Sequence, residues 1–206
     1  MNILHRIGNR LTRKPKFNYL IIVARELDAT LPMHEAKIPF SFETLPSDAS
    51  EIEQRLTHIP PHHRNDIHDR VARGDRCTIA VYKGQIIFVG WMGMEVCYSY
   101  WLDRYYKLAP HESYSYSAYT IPEFRGQGVH PTATYKRLQL LNEWGCTIAY
   151  AFIDPHNKAA LRMPKKLGYT TIGKTGFIEV FGIRFYFHND KGVFEALDKH
   201  HYFRRA

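Results

Sequence analysis

Long apolar runs are missing from this sequence: no stretch approaches the ~20 consecutive apolar residues that a membrane span needs. The opening Met1-Asn2-Ile3-Leu4-His5-Arg6 lacks the apolar segment and cleavage site of a secretory signal, so the expected location is cytoplasmic. Cysteine is scarce. Cys77, Cys97 and Cys146 are far apart and form no C-x-x-C pair, which argues against a disulfide framework or a structural zinc site and predicts reduced, mostly buried thiols. Internal repeats and low-complexity tracts are absent. The serines Ser113, Ser115 and Ser117 alternate along one segment without a G-x-S-x-G elbow, which leaves a serine hydrolase unsupported.

What the chain does contain is enough apolar material for one substantial core: 206 residues, 45% hydrophobic, read as a single domain 1–206 with a basic extension at 1–16 and a tail at 191–206. A formal charge of +8 favours an anionic ligand, and coenzyme A, nucleic acid and an acidic membrane surface all qualify. In the extension, Ile3, Leu4, Ile7 and Leu11 recur at helical spacing among basic residues until Pro15, which suits a terminal helix packed on its own domain or docked on an acidic partner. Twelve histidines invite a metal reading, above all His62-His63 with His68 and His200-His201. Adjacent histidines seldom present both rings to one ion, and no carboxylate or cysteine completes a set, so no metal is expected. The aromatic run Tyr98, Tyr100, Trp101, Tyr105 and Tyr106 reads as core or dimer packing, or as an acceptor-site wall.

Strands are expected at 17–25 and 38–45, helices at about 48–58 and 61–73, and a hairpin 76–82/85–94 turning at Lys83-Gly84. The segment 96–108 is ambiguous. From residue 112 the order becomes regular: strand 112–121, loop, helix 131–144 stopped by Gly145, strand 147–153, helix 157–167 stopped by Gly168, then strands 169–180 and 183–188. Strand, helix, strand over this length implies a parallel pair with a right-handed crossover, inside a mixed α/β sheet covered by helices.

Between that strand and helix stand Arg125, Gly126, Gln127, Gly128, Val129 and His130, with Pro131 in the first turn of the helix. Glycines here let the backbone approach a ligand and turn successive N–H groups inward, while the helix start adds its positive dipole end; the loop reads as a pyrophosphate cradle or as a plain glycine-containing turn. A Rossmann fingerprint would need a third glycine, and a P-loop would need Gly-Lys-Ser/Thr.

The pattern Pro122-x-x-Arg125-Gly126-Gln127-Gly128-Val129, followed by Asn157-Lys158-Ala159-Ala160 and Lys166-Leu167-Gly168-Tyr169, resembles the two conserved motifs of the GCN5-related N-acetyltransferases (GNAT). The resemblance covers about 112–173 well and 76–94 loosely. It implies a mixed, twisted sheet of about six to eight strands with helices on both faces and a splayed parallel pair, 112–121 and 147–153. Acetyl-CoA or another acyl-CoA would lie between these strands as co-substrate. By the same resemblance Tyr116, Ala118, Tyr119 and Thr120 line the donor along the strand, and the amides of Gln127, Gly128, Val129 and His130 hold its pyrophosphate beside Arg125 and Gly126. Asn157 contacts the donor or caps its helix. Tyr116 N–H is the expected oxyanion donor, and Glu112, thirteen residues before Arg125, is the expected general base. Strict alternation would put Glu112, Tyr114, Tyr116 and Ala118 on one face. Two positions depart from the family pattern: His130 replaces a usual glycine or alanine, and Pro164 stands where many members carry a tyrosine acid. A kink or early helix break is expected at Pro164.

The activity so implied is direct attack of a primary amine of a small molecule, amino sugar or peptide on the thioester. Homodimerisation, and contact with an acidic surface through 1–16, are compatible with it, and nucleic acid is not an expected partner. The alternative is a non-catalytic module of the same fold that binds a ligand or nucleic acid.

Overall fold

The computed structural model describes residues 15–27 and 34–189 and the backbone of residues 195–197. The apolar stripe Ile3–Leu11 and the rest of the tail therefore lie outside the described residues. Strand β1 (Lys16–Glu26) is followed by the short β2 (Ser41–Thr44), half the length expected. Helix α1 (Ala49–Arg55) begins where the Asp48 side chain accepts the Glu51 N–H at 2.9 Å, an N-cap. The single helix expected over 61–73 is two pieces: a 3-10 turn, Pro61–His63, and α2 (Ile67–Ala72). Asp66 between them adopts a left-handed φ of 56°, which no continuous helix passes through.

β3 (Arg76–Tyr82) and β4 (Gln85–Gly93) form the expected hairpin, with Lys83 and Gly84 at φ 49° and 79°. The ambiguous aromatic run resolves into β5 (Val96–Ser99) and β6 (Arg104–Lys107), an antiparallel pair. Then come β7 (Glu112–Thr120), α3 (Val129–Glu143), β8 (Ile148–Ile153), α4 (Lys158–Lys166), β9 (Thr170–Val180), β10 (Ile183–Asn189) and β11 (Glu195–Leu197). Helix α4 runs through Pro164 to Lys166, and Leu167 N–H still donates to Met163 O at 3.1 Å. The break expected at Pro164 does not occur; a proline so near the C-terminus forfeits a single intrahelical bond.

Eight strands form one sheet in the order β10-β9-β1-β8-β7-β4-β3-β2, and β11-β6-β5 form a second, small sheet that the sequence reading did not contain. β1 pairs antiparallel with both β8 and β9, although some 120 to 160 residues separate them, so the first strand closes the middle of the sheet. One face carries Ile79, Val89, Trp91 and Ile121 under α1 and α2, and continues as Leu20, Ile22, Tyr114 and Tyr150 under the small sheet. The other face carries Phe88, Met92 and Ala149 under α3. Trp91 and Phe88 are fully buried, each contributing roughly 2–3 kcal/mol by the area removed from water. All three cysteines are free and buried. No helix among the described residues is long and apolar enough to cross a membrane.

Candidate active site

The parallel ladder between β7 and β8 joins Glu112 to Ile148, Ser113 to Ala149 and Tyr114 to Tyr150, and then stops. Past that point β7 continues on β4 and β8 on β1, so the two strands part and leave a wedge. β7 also carries a bulge there. Trp91 pairs with Tyr116 and Val89 with Tyr119, so three steps of β7 answer two of β4, and Ser117 takes a left-handed φ of 48°. Residues 115–119 are all partly exposed between buried Tyr114 and buried Thr120. The extra residue reverses the side-chain alternation. Tyr114 and Tyr116 stack at 5.3 Å on one face and Tyr119 joins them there, whereas Ala118 packs on the α3 face with Phe88 and Val129. The expectation of Glu112, Tyr114, Tyr116 and Ala118 on one wall is corrected accordingly.

Beyond β7, a 3-10 turn (Pro122–Phe124) leads into the loop, and the Arg125 side chain turns back to donate from Nε to Thr120 O at 3.1 Å. Gly126 and Gly128 hold φ of 75° and 80°, conformations that a Cβ resists. Helix α3 starts at Val129, two residues earlier than expected, with Pro131 inside its first turn, where no N–H is needed. The N–H groups of Gly126, Gln127, Gly128, Val129 and His130 meet no backbone acceptor among the described residues. Five unpaired donors at a helix start fit a diphosphate. A segment that the motif reading ignored straps this loop: Lys37 N–H donates to Gln127 O at 2.8 Å, and a Cβ on Gly128 would lie 3.1 Å from Ala36 Cα. Between the strap and α3 lies a cleft of about 300 Å³ lined by His34, Phe40, Thr132, Tyr135 and Lys136 among others. Thr132 Oγ1 is buried with no partner among the described residues.

Behind the bulge, on the α3 face, Arg137 is 2% exposed and donates from Nη2 to Trp91 O at 2.5 Å. Its guanidinium fills the space over Gly90, where a Cβ would come within 2.8 Å of Nη1. Burial lowers the Arg137 pKa to about 10. His130, buried near this cation, is pushed down to about 4, by burial first and by Arg137 second.

On the opposite face the Tyr116 hydroxyl donates to Asp75 Oδ2, which also accepts Arg73 Nη2 at 2.8 Å. Burial raises the Asp75 carboxyl above its ordinary range, opposed by Arg73 and by the tyrosine. Arg70, 2% exposed, lies 4.9 Å from the Trp91 ring, 5.2 Å from Tyr116 and 5.5 Å from Tyr100. Three rings and a guanidinium then follow one another beside β7: His62 on His63 at 4.2 Å, His63 on Tyr119 at 4.1 Å, and Arg125 Cζ at 5.6 Å from Tyr119. Sequence reasoning weighed these histidines as metal ligands or solvated surface and passed over Arg70, Arg73 and Asp75. The one hint was the run Arg70-Val71-Ala72-Arg73-Gly74-Asp75, whose meaning depends on β7 lying against it.

Glu112 lies at the paired end of the strand. Its Oε1 accepts the Tyr150 hydroxyl at 2.8 Å and its Oε2 the Ala109 N–H at 2.7 Å, which ties β7 to β8 where the ladder begins. Asn157 Oδ1 accepts Ala160 N–H at 3.0 Å, so the capping role expected of it is present.

The Acetyltransferase (GNAT) family model matches residues 41–169. The chain belongs to the GNAT family. Among solved structures it is similar to a putative GNAT acetyltransferase from Novosphingobium aromaticivorans, with 16% identity, a TM-score of 0.53 and coverage of 79% of this chain and 65% of that one. It is also similar to a GCN5-related glucosamine N-acetyltransferase region of a fungal multi-domain β-N-acetylglucosaminidase, with 14% identity, a TM-score of 0.58 and coverage of 85% and 22%. A third is a GCN5-related N-acetyltransferase from Kribbella flavida, with 16% identity, a TM-score of 0.50 and coverage of 76% and 56%. The chain spans less than two thirds of each of these structures' own length. No curated protein matches the sequence. The family match begins after β1 and the strap, so both lie outside it, as do β9 and β10.

Proposed function

We propose that this protein transfers an acetyl or longer acyl group from coenzyme A to a primary amine of a small molecule, amino sugar or peptide. The observation that carries this reading is the set of five N–H groups at 126–130 without backbone acceptors among the described residues, set at the open end of a strand wedge. When bound, the acyl-CoA supplies an activated thioester. The amides of 126–130 hold its diphosphate, with the positive end of α3 behind them. The strap cleft, with the Tyr135 and Phe40 rings and the Lys136 cation, receives the nucleotide end. Main-chain groups of Tyr116, Ala118, Tyr119 and Thr120 line the wedge beside the pantetheine.

The oxyanion donor comes from the N–H groups where the β4 ladder skips, from Tyr116 through the bulge, because a bulge leaves a main-chain donor unpaired and fixed in direction. For the amine's proton, Glu112 has both oxygens engaged at the paired end, whereas the His63 imidazole lies on Tyr119 in the splayed part. His63 is held neutral at pH 7, its pKa lowered to about 4 by burial first and by nearby cations second, so its ring nitrogen is free to accept. We therefore assign proton acceptance to His63, directly or through water, and the hinge of the wedge to Glu112.

The test is direct: titrate the full chain with coenzyme A calorimetrically, then follow thiol release from acetyl-CoA and longer acyl-CoAs over a panel of amines. Saturable coenzyme A binding with amine-dependent thiol release is the expected result. Salt-sensitive RNA or DNA binding without either would establish the non-catalytic alternative instead.

A further inference from the structure

Resting on that reading, we propose that the acceptor is an amine whose own scaffold carries an anionic group, a phosphate or a carboxylate, and that the ring column with the cations around it recognises that group. The acceptor-facing wall is unbalanced in charge. At its base Arg70 and Arg73 lie near one carboxylate, Asp75, which takes up Arg73 and the Tyr116 hydroxyl. Arg70 is left with Nε and Nη1 buried and without hydrogen-bond acceptors among the described residues, against the rings of Trp91, Tyr116 and Tyr100 and within the field of Asp75. Two guanidiniums against one carboxylate leave a positive charge uncompensated in a poorly hydrated place, where its field reaches further than in water.

At the rim the same sign recurs. Arg125 sits over Tyr119, and His62 over His63, while the guanidiniums that act on His63 are those of Arg70 and Arg125. The carboxylate that the sequence reading placed in this wall, Glu112, is spent at the far end of the ladder. A polycationic amine entering here would meet like charge and, as acid, only the buried Asp75, whose Oδ2 is already bound to Arg73 and Tyr116. An amine with a phosphate or carboxylate a few bonds away would have its anion drawn to the column and its nitrogen left toward the bulge. Tyr100, 41% exposed above Arg70, and Tyr119 offer the ring faces that such a scaffold would lie on.

Thiol release from acetyl-CoA should be compared within matched pairs: glucosamine against glucosamine 6-phosphate, and a dipeptide amide against the free dipeptide. The anionic member of at least one pair should show kcat/KM about tenfold or more above its neutral partner, mostly through KM. The pair that responds tells phosphate from carboxylate. A carboxylate introduced at the exposed rim, His62→Glu, should shrink or invert that preference, an effect that a purely structural role for the histidine would not produce. Arg70→Gln should erase the preference and Arg70→Lys should restore part of it, with coenzyme A affinity reporting that each variant is folded. Equal turnover within both pairs, preference for the uncharged members, or no turnover of either anionic amine by a chain that binds coenzyme A would overturn the inference. Loss of coenzyme A binding by the unaltered chain would instead overturn the acyltransfer reading beneath it.

Discussion

The two ends of β7 are built from one alternating stretch of tyrosine and serine, yet they behave differently. At the paired end, Glu112 satisfies both carboxylate oxygens, the Ser113 hydroxyl bonds Ile148 O, and the ladder to β8 is closed. At the splayed end the ladder stops, the strand bulges, and the loop that follows leaves five N–H groups without backbone acceptors among the described residues. An unmade buried hydrogen bond is costly, so a folded chain keeps unpaired donors mainly where solvent or a ligand will take them. The paired end holds the fold together, and the splayed end is left open for chemistry.

That contrast can be broken most forcefully at the loop. Gly128→Val places a branched side chain at φ 80° and a Cβ 3.1 Å from Ala36 Cα, so it should cost about 2–3 kcal/mol of stability and lower coenzyme A affinity at least about a hundredfold. Gly126→Ala meets no atom within 4 Å and bears only the conformational penalty, about 1 kcal/mol, with a loss of affinity under about tenfold. Calorimetric titration of both variants checks the order; equal losses would mean that strap contact is irrelevant.

A second probe uses pH. Folded, His130 keeps a pKa of about 4, while in the unfolded chain it returns to 6.5. The unfolded state therefore binds more protons between those values. Stability from this group is complete above pH 6.5 and falls as the pH drops toward 4, by up to about 3 kcal/mol. Denaturant melts between pH 4 and 8 should show that loss, and His130→Phe, which keeps a ring against Phe88, should remove its part of it. The smallest effect is expected at the paired end. Glu112→Gln gives up one accepted bond, so about 1 kcal/mol of stability should go, with turnover changed by less than about threefold. A hundredfold fall in turnover at unchanged coenzyme A affinity would return the base to Glu112.

Much of the frame was legible beforehand because its signals are local. The turn residues Lys83-Gly84, the helix stops Gly145 and Gly168, the Asn157 cap and the glycines around Gln127 each dictate backbone shape within a few residues. The acceptor wall was not legible. Asp75, Tyr116, His63 and Tyr119 come from three distant segments, and nothing in the spacing of any one of them predicts the others. Alternation also misplaced Ala118, because a bulge inserts its extra residue without a compositional mark.

By itself, then, the sequence determined the order of elements from β7 to β10 and the chemistry of the loop after β7, since glycine conformation, helix capping and a helix start act over a few bonds. Tertiary structure alone decided that β1 closes the sheet between β8 and β9, that residues 34–37 strap the glycine loop after β7, and that a buried arginine stands behind the wedge and another in front of it. Those outcomes rest on pairing and burial between segments far apart in the chain, where the free energy depends on which surfaces meet and not on which residues follow one another.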